Sequence, residues 1–455
     1  MSQERNPMLS GAIWKQILIL FFPILLGALF QQFYNTVDAF VVGRYVGKVA
    51  LAAVGGPTST VIALLVGLFT GLSTGATVVI AQFYGSGDEE KTSRTIHSSM
   101  ALSLAVGAVM SVGGALAARP ALTAMGTPQD VMPHAVTYLQ IYFAGILFSV
   151  VYNMGSGILR AKGDSRRPFY LLAGGTAINL AADMIFIVLW GWGVAGVAWA
   201  TTLSQAFCAA GVWILLARER GCFRLEFRRL GFDWLLLQNM LHIGVPSALQ
   251  SSMYTVANIV IQAGINGFGV DTVAAWAAFG KFDALYWLIM AALGMAHCTF
   301  AAQNFGARQY DRVRKSTWVC AAMGTVISLA ASAGFWYWKE PLFRFFIDDP
   351  NVVSVGAVMV NNMVPLYVTY VIVEAIGGTV RGSGDAVVLT VIMAVCICGY
   401  RLLWMWFAVP RWHEIAVVVW SYPISWILTS VLFLIYYFFS GWMERSMVRA
   451  GHRSV

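Results

Sequence analysis

PILLGALFQQFYNTVDAFVVGRYVG, residues Pro23 to Gly47, is the stretch on which the reading of this sequence turns. It begins inside an apolar run long enough to cross a bilayer, which takes about 20 mostly apolar residues. Fifteen residues after Pro23 the run carries a single ionisable side chain, Asp38. A carboxylate at membrane depth costs roughly 2.5–3.5 kcal/mol on insertion scales. Such a group rarely faces lipid, so Asp38 calls for a polar partner, water or a function.

The surrounding chain supports a membrane reading. It has 455 residues, of which 59% are hydrophobic and 11% charged. A soluble protein would carry about 25% charged residues. The formal net charge of +8 would suggest nucleic acid on a soluble protein. Here the positive charges fall in short loops, where they set topology, and no nucleic-acid partner is expected. The six cysteines show neither a disulfide framework nor a zinc spacing, so no metal or organic cofactor is expected. His97, His134, His242, His413 and His452 lie near span ends or loops. His297, inside a span, has no ligand-spaced partner and reads as packed. The N-terminal apolar helix lacks a cleavage site and reads as retained in the mature protein.

Twelve spans are expected, over 15–43, 51–82, 94–118, 133–159, 168–190, 194–217, 238–265, 273–302, 316–338, 354–380, 386–409 and 414–440. The fold class is an all-α polytopic membrane protein. Placing the N-terminus in the cytoplasm puts 21 Lys and Arg on the inner side, from Arg5 to Arg453, against six on the outer side. That bias makes both termini cytoplasmic. The domains expected are a six-helix lobe (1–217), a basic cytoplasmic linker (218–237), a second six-helix lobe (238–440) and a tail (441–455). The linker reads as a topology signal, with anionic lipid headgroups as its other possible partner.

The two halves repeat at an offset near 221. Gln82-Phe83-Tyr84-Gly85 matches Gln303-Asn304-Phe305-Gly306, and Arg160-Ala161-Lys162-Gly163-Asp164 matches Arg381-Gly382-Ser383-Gly384-Asp385. Pro23 matches Pro246 at 223. An even number of spans separates the copies, so they share one orientation. Parallel repeats of this kind are a transporter device, with binding at the repeat interface. A channel or receptor does not need the duplication. The copies differ where Asp38 corresponds to Ile261, Asn179 and Asp183 to Tyr400 and Trp404, and Asn153 to Glu374.

At about 1.5 Å rise per residue, Asp38, Asn179, Asp183 and Thr201 all fall in the outer half of the first lobe. They form the candidate cation-coupling site. Gln31, Tyr34 and Asn35 share the Asp38 face. Two carboxylates in a poorly hydrated site can share a proton. Alternatively, carboxylate, amide and hydroxyl oxygens can coordinate Na+ with both acids ionised. The bland alternative is that Asp38 and Asp183 only satisfy helix contacts. In the second lobe, Lys281, Asp283, Glu374 and Arg401 are further ionisable candidates. A buried Arg401–Asp283 pair is expected, and Glu374 is placed to line the cavity or form a gate. Asn153, Tyr254 and Asn258 complete the substrate-cavity candidates.

These residues resemble the MATE (multidrug and toxic compound extrusion) family. The resemblance rests on P-x14-D followed by V-G-R-Y-V-G, and on A-Q-x-x-G at 81–85 and 302–306. It also rests on L-R-A-K-G-D and V-R-G-S-G-D closing spans 4 and 10, and on N-x3-D followed by G-W-G-V-A-G-V-A-W-A-T. It covers Lys15 to about Ser440 and is closest to the bacterial DinF-like branch. It implies a V-shaped, two-lobe antiporter of a bacterial inner membrane, exporting small organic, often cationic, compounds against H+ or Na+. It carries the coupling site over to Asp38, Asn179, Asp183 and Thr201. The Glu that some members have in span 7 is absent; Tyr254 is near that position. A monomer in contact with membrane lipids is expected. The rival within the superfamily is a lipid-linked oligosaccharide flippase, which would want a more cationic cavity. The rival from another class, an integral-membrane enzyme, would need a catalytic cluster that the sequence lacks.

Overall fold

The computed structural model describes residues 6–412 and 414–451; Arg5, His413, His452 and Arg453 lie outside the described residues. The described residues are helical, with short turns between. Among the described residues eleven helices are long and apolar enough to cross a membrane, from Ile13–Val46 to Ile415–Phe439. They coincide with eleven of the expected spans. The remaining one, expected over 238–265, forms as the 33-residue helix Trp234–Asn266. It is not among the eleven because amides and hydroxyls such as Gln250, Ser251, Ser252, Asn258 and Gln262 dilute its apolar run. Several helices outrun their expected lengths: Val270–Gly306 has 37 residues. Short amphipathic helices at Lys339–Phe346 and Trp442–Arg449 were not foreseen.

The chain divides into two compact units. One is Phe22–Ala248; the other joins residues 6–21 to the chain from Leu249 onward. Within the first unit, the opening turns of Trp234–Asn266 lie on Gly71 and Gly75 of Pro57–Ser86. A Cβ on Gly71 would stand 2.3 Å from the Ala248 nitrogen, and one on Gly75 would stand 2.2 Å from the Met240 oxygen. Only glycine permits so close a backbone approach, a common device between membrane helices. Within the second unit, the N-terminal stretch is held by side chains of the A-Q-N-F-G region and beyond. Asn6 donates to Gln303 at 2.9 Å, and Asn304 and Arg312 donate to the Met8 carbonyl at 3.3 and 3.2 Å.

The duplicated Gly-Asp motif has a local cause. Gly163 and Gly384 adopt φ of +100° and +97°, the left-handed conformation that ends a helix at little cost for glycine. Asp164 then accepts hydrogen bonds from the Arg166 and Arg167 amides at 3.0 and 3.1 Å, capping the next helix. Asp385 instead accepts from the Tyr436 hydroxyl at 2.5 Å and pairs with Arg449 at 3.6 Å, which anchors the C-terminal helix.

The basic loop after Arg218 is an ordered strap on the first unit. Phe223 and Leu225 are buried, and the Phe223 ring meets Tyr84 edge-on at 4.9 Å. His97 Nε2 accepts the Glu226 amide at 3.1 Å, and Ser98 accepts the Asp233 amide at 3.0 Å. Glu219 pairs with Lys162 at 2.6 Å and with Arg167. Burial opposes the Glu219 carboxylate, but the hydrogen bonds from Lys162 and Arg167 outweigh it and hold its carboxyl below the usual range. The stabilisation is therefore complete above the ordinary glutamate value of about 4.3. It is lost as the pH falls through the lowered folded value. Glu219→Gln is expected to speed amide exchange over 219–226 several-fold, with the flanking helices unchanged. Unaltered exchange would show that the His97, Ser98 and Phe223 contacts hold the strap alone.

Candidate functional site

Three helices of the first unit supply the four candidate coupling residues. Asp38 sits near the end of Ile13–Val41, and the π-helical turn Val42–Val46 follows it. Asp183 ends Arg166–Asp183, and a second π-helical turn, Met184–Leu189, begins at the next residue. Asn179 lies one turn before Asp183, and Thr201 lies on Gly193–Arg218. Single π turns inside helices are frequent at functional sites, because the extra residue redirects the side chains beside it.

All four side chains are buried: Asp38 is 6% exposed, Asn179 1%, Asp183 0% and Thr201 4%. The Asp38 and Asp183 carboxyls stand within hydrogen-bonding range of each other. Yet Asp38 Oδ1, both oxygens of Asp183, both polar atoms of the Asn179 amide and Thr201 Oγ1 have no hydrogen-bond partner among the described residues. Leaving one buried polar group unmet costs about 1–3 kcal/mol, and more for a charged one. A hydrogen bond between two carboxyl groups exists only when one carries the proton. Carboxylate, amide and hydroxyl oxygens are also what a hard cation takes. The donor set fits either ion.

The site has a tyrosine wall, of which Tyr34 was an expected member and Tyr138 and Tyr142 were not. Tyr34 and Tyr138 have Asp38 as an electrostatic neighbour, and Tyr138 also has Asp183. Tyr138 stacks at 6.4 Å on Tyr142, one turn along Met132–Lys162. The i, i+4 tyrosine pair in an apolar span was the available signal. Beyond the aspartates an apolar cluster that includes Val41, Val42, Ala50, Ile187, Val194 and Val197 closes round Tyr138. Among the other candidates on this side, Tyr34 and Gln31 are half-buried and Asn35 is exposed. Asn153 is not brought to the aspartates. It lies fifteen residues along the same helix from Tyr138, about 22 Å by helical rise, where its amide donates to the Ser149 carbonyl at 2.8 Å.

In the second unit the expected Arg401–Asp283 ion pair does not form among the described residues. Asp283 accepts from the Trp287 indole at 3.0 Å and from the Tyr367 hydroxyl. Arg401 is 2% exposed, donates to Ser425 at 2.9 Å and lies 4.1 Å over the Tyr422 ring. Neutral partners thus satisfy each charge separately. Tyr422 also donates to Asn258 at 3.4 Å, and Tyr254 and Tyr370 share a hydrogen bond of 3.1 Å. The Glu374 carboxylate fills the space left by Gly294, where a Cβ would stand 2.0 Å from its Oε2. Lys281 is exposed. His297 is fully buried, with Nε2 at 3.1 Å from Ser316. No group of three or more His, Cys, Asp or Glu suited to a metal occurs among the described residues.

Comparison with known proteins agrees with this architecture. The MatE family model matches the chain twice, over 23–185 and 246–407, so the two matched stretches begin at Pro23 and Pro246. The chain is 25% identical over 451 residues to the probable multidrug resistance protein YoeA of Bacillus subtilis, covering 96% of each chain. It is 25% identical to the FAD transporter of Shewanella oneidensis, covering 77% of this chain and 78% of the relative. A MOP superfamily transporter from Pyrococcus furiosus, described as having a binding pocket of reverse polarity, superposes with a TM-score of 0.87. It has 22% identity, with 99% of both chains covered. An outward-facing multidrug resistance MATE transporter of the same superfamily superposes at 0.86, with 22% identity and 99% and 100% covered. These structural likenesses carry the fold; the duplicated sequence match carries the family. The chain is an integral membrane protein belonging to the MatE family, the multidrug and toxic compound extrusion transporters.

Proposed function

We propose that this chain is a cation-coupled antiporter that exports small organic compounds, and that Asp38 with Asp183 is where the coupling ion binds. The observation that carries this reading is the buried pair of carboxyl groups, with Asn179 and Thr201 beside it, none of them fully satisfied. Such an arrangement is costly unless an ion completes it. The names of the multidrug relatives support the substrate class.

In the proposed cycle, the outward-open site takes up H+ or Na+, which relieves the unmet oxygens. The first span rearranges around Asp38, where the π turn gives the helix an alternative register, and substrate leaves. The ion is then released inward and the carboxyl pair favours a new substrate. The two repeats, 1–217 and 238–440 with the 218–237 linker between them, are proposed to act as the alternating-access halves. The setting is proposed to be a bacterial inner membrane with both termini cytoplasmic, the protein working as a monomer among its lipids. The driving force is about 2.3 kcal/mol per charge per 100 mV, with about 1.4 kcal/mol per pH unit for a proton.

A second substrate reading has one observation behind it. Arg401 is a buried cation bonded to a hydroxyl and a ring face rather than to a carboxylate, and one relative is named an FAD transporter. An organic anion is the alternative cargo. Reconstitution into liposomes, with pH and Na+ gradients imposed separately and cationic dyes and a flavin nucleotide as cargo, separates these readings. Gradient-driven movement of the dyes supports the first. Movement of the flavin alone replaces it with the second, and no gradient-dependent movement of any cargo contradicts both.

A further inference from the structure

The strap after Arg218 has a surface that the transport reading leaves unused. Its three acids are already engaged: Glu219 by Lys162 and Arg167, Glu226 by Arg229 at 2.9 Å, and Asp233 by Arg94. Arg218, Arg220 and Arg228 are exposed, and none has a carboxylate within 4.0 Å among the described residues. Beside them Phe227, Phe232 and Trp234 are 74%, 62% and 69% exposed. The strap cannot bury these rings itself, because its backbone is already fixed by His97, Ser98 and the Phe223–Tyr84 contact.

The level of this patch is set by Trp213. That residue lies five positions before the end of Gly193–Arg218, about 7.5 Å inside the helix end. The Phe227 ring reaches back to within 6.3 Å of it. The Phe227 ring therefore reaches the level of the last turns of a helix apolar enough to cross a membrane, and Arg218, Arg220 and Arg228 belong to the segment that begins at that helix's end. At a membrane boundary aromatic rings meet acyl chains and basic groups meet headgroups. Guanidinium is the group best matched to phosphate oxygens, and juxtamembrane basic clusters of this kind attract anionic lipid.

We propose that the strap is a docking surface for anionic phospholipid headgroups of the leaflet it faces, with Arg218, Arg220 and Arg228 holding the phosphates and Phe227 anchoring among the chains. The test is native mass spectrometry of the delipidated full chain in detergent, offered equal phosphatidylglycerol and phosphatidylcholine. The wild type is expected to retain phosphatidylglycerol by about tenfold or more over phosphatidylcholine. Arg218→Gln/Arg220→Gln/Arg228→Gln is expected to bring the preference to within about twofold. Arg229→Gln, whose partner is Glu226, should preserve it. Phe227→Ser should weaken lipid retention. Inorganic phosphate in millimolar excess should not displace the lipid. An undiminished preference in the glutamine variant overturns the proposal. Displacement by phosphate also overturns it, by assigning the arginines to a free anion. Neither outcome depends on whether the chain transports drugs.

Discussion

Asp38→Asn is expected to reduce gradient-driven efflux to the level of empty vesicles, with the protein still expressed and monodisperse. The substitution keeps the size of the side chain and removes its ionisation. Asparagine cannot take up and release a proton, and its single carbonyl oxygen is a weaker ligand for Na+ than a carboxylate. Without an ion bound and released in each cycle, none of the roughly 2.3 kcal/mol per 100 mV reaches the transport step. Folding should survive, because among the described residues Asp38 makes no ion pair and one of its oxygens has no hydrogen-bond partner. Removing an unmet charge from a buried site is neutral or favourable. Asp183→Asn is expected to behave in the same way, since its two oxygens are equally unmet and its carboxyl faces Asp38. Efflux in either variant that still follows an imposed gradient would remove the pair from the coupling role. The measurement is initial efflux rate in proteoliposomes matched for protein content.

Gly75→Val is expected to have the largest effect on folding. Its Cβ would lie 2.2 Å from the Met240 carbonyl oxygen and 2.7 Å from the Gly244 nitrogen, both main-chain atoms. Neither can rotate away, so the start of Trp234–Asn266 would have to move off Pro57–Ser86. Overpacking of well-packed sites costs about 1–3 kcal/mol, and a backbone–backbone clash belongs at the upper end. The expected result is a fall in thermal midpoint of several degrees, with loss of monodisperse protein. Gly113→Val is the control: a Cβ there meets nothing within 4 Å. Equal midpoints for the two variants would show that this helix contact contributes little.

The positions of the spans were legible because apolar length is a coarse signal that tertiary contacts do not override. The aspartates were legible for a related reason: an ionisable group inside such a run stands out, and helical rise places it in depth. Depth alone could not show that Asp38 and Asp183 face each other. Nor could it reveal the π turns that follow them, since these depend on how neighbouring helices pack. Matching charge by depth pairs Arg401 with Asp283 because it ignores neutral donors and ring faces. Trp287 and Tyr367 reach Asp283, and Ser425 and Tyr422 reach Arg401. That the 218–237 linker is ordered is not legible in sequence, because its order comes from His97, Ser98 and Tyr84, residues far away in sequence whose role only contact reveals. Gly71 and Gly75 carried no signal among 44 glycines.

Ion binding at the carboxyl pair can be measured without transport. Purified protein in weak buffer, mixed with substrate, reports proton release through a pH indicator, and the same preparation reports Na+ binding by equilibrium dialysis of the labelled ion. Wild type is expected to show substrate-linked release of one of these ions, and both Asp38→Asn and Asp183→Asn are expected to show neither. Release or binding at wild-type levels in both variants would place the coupling ion elsewhere in the protein.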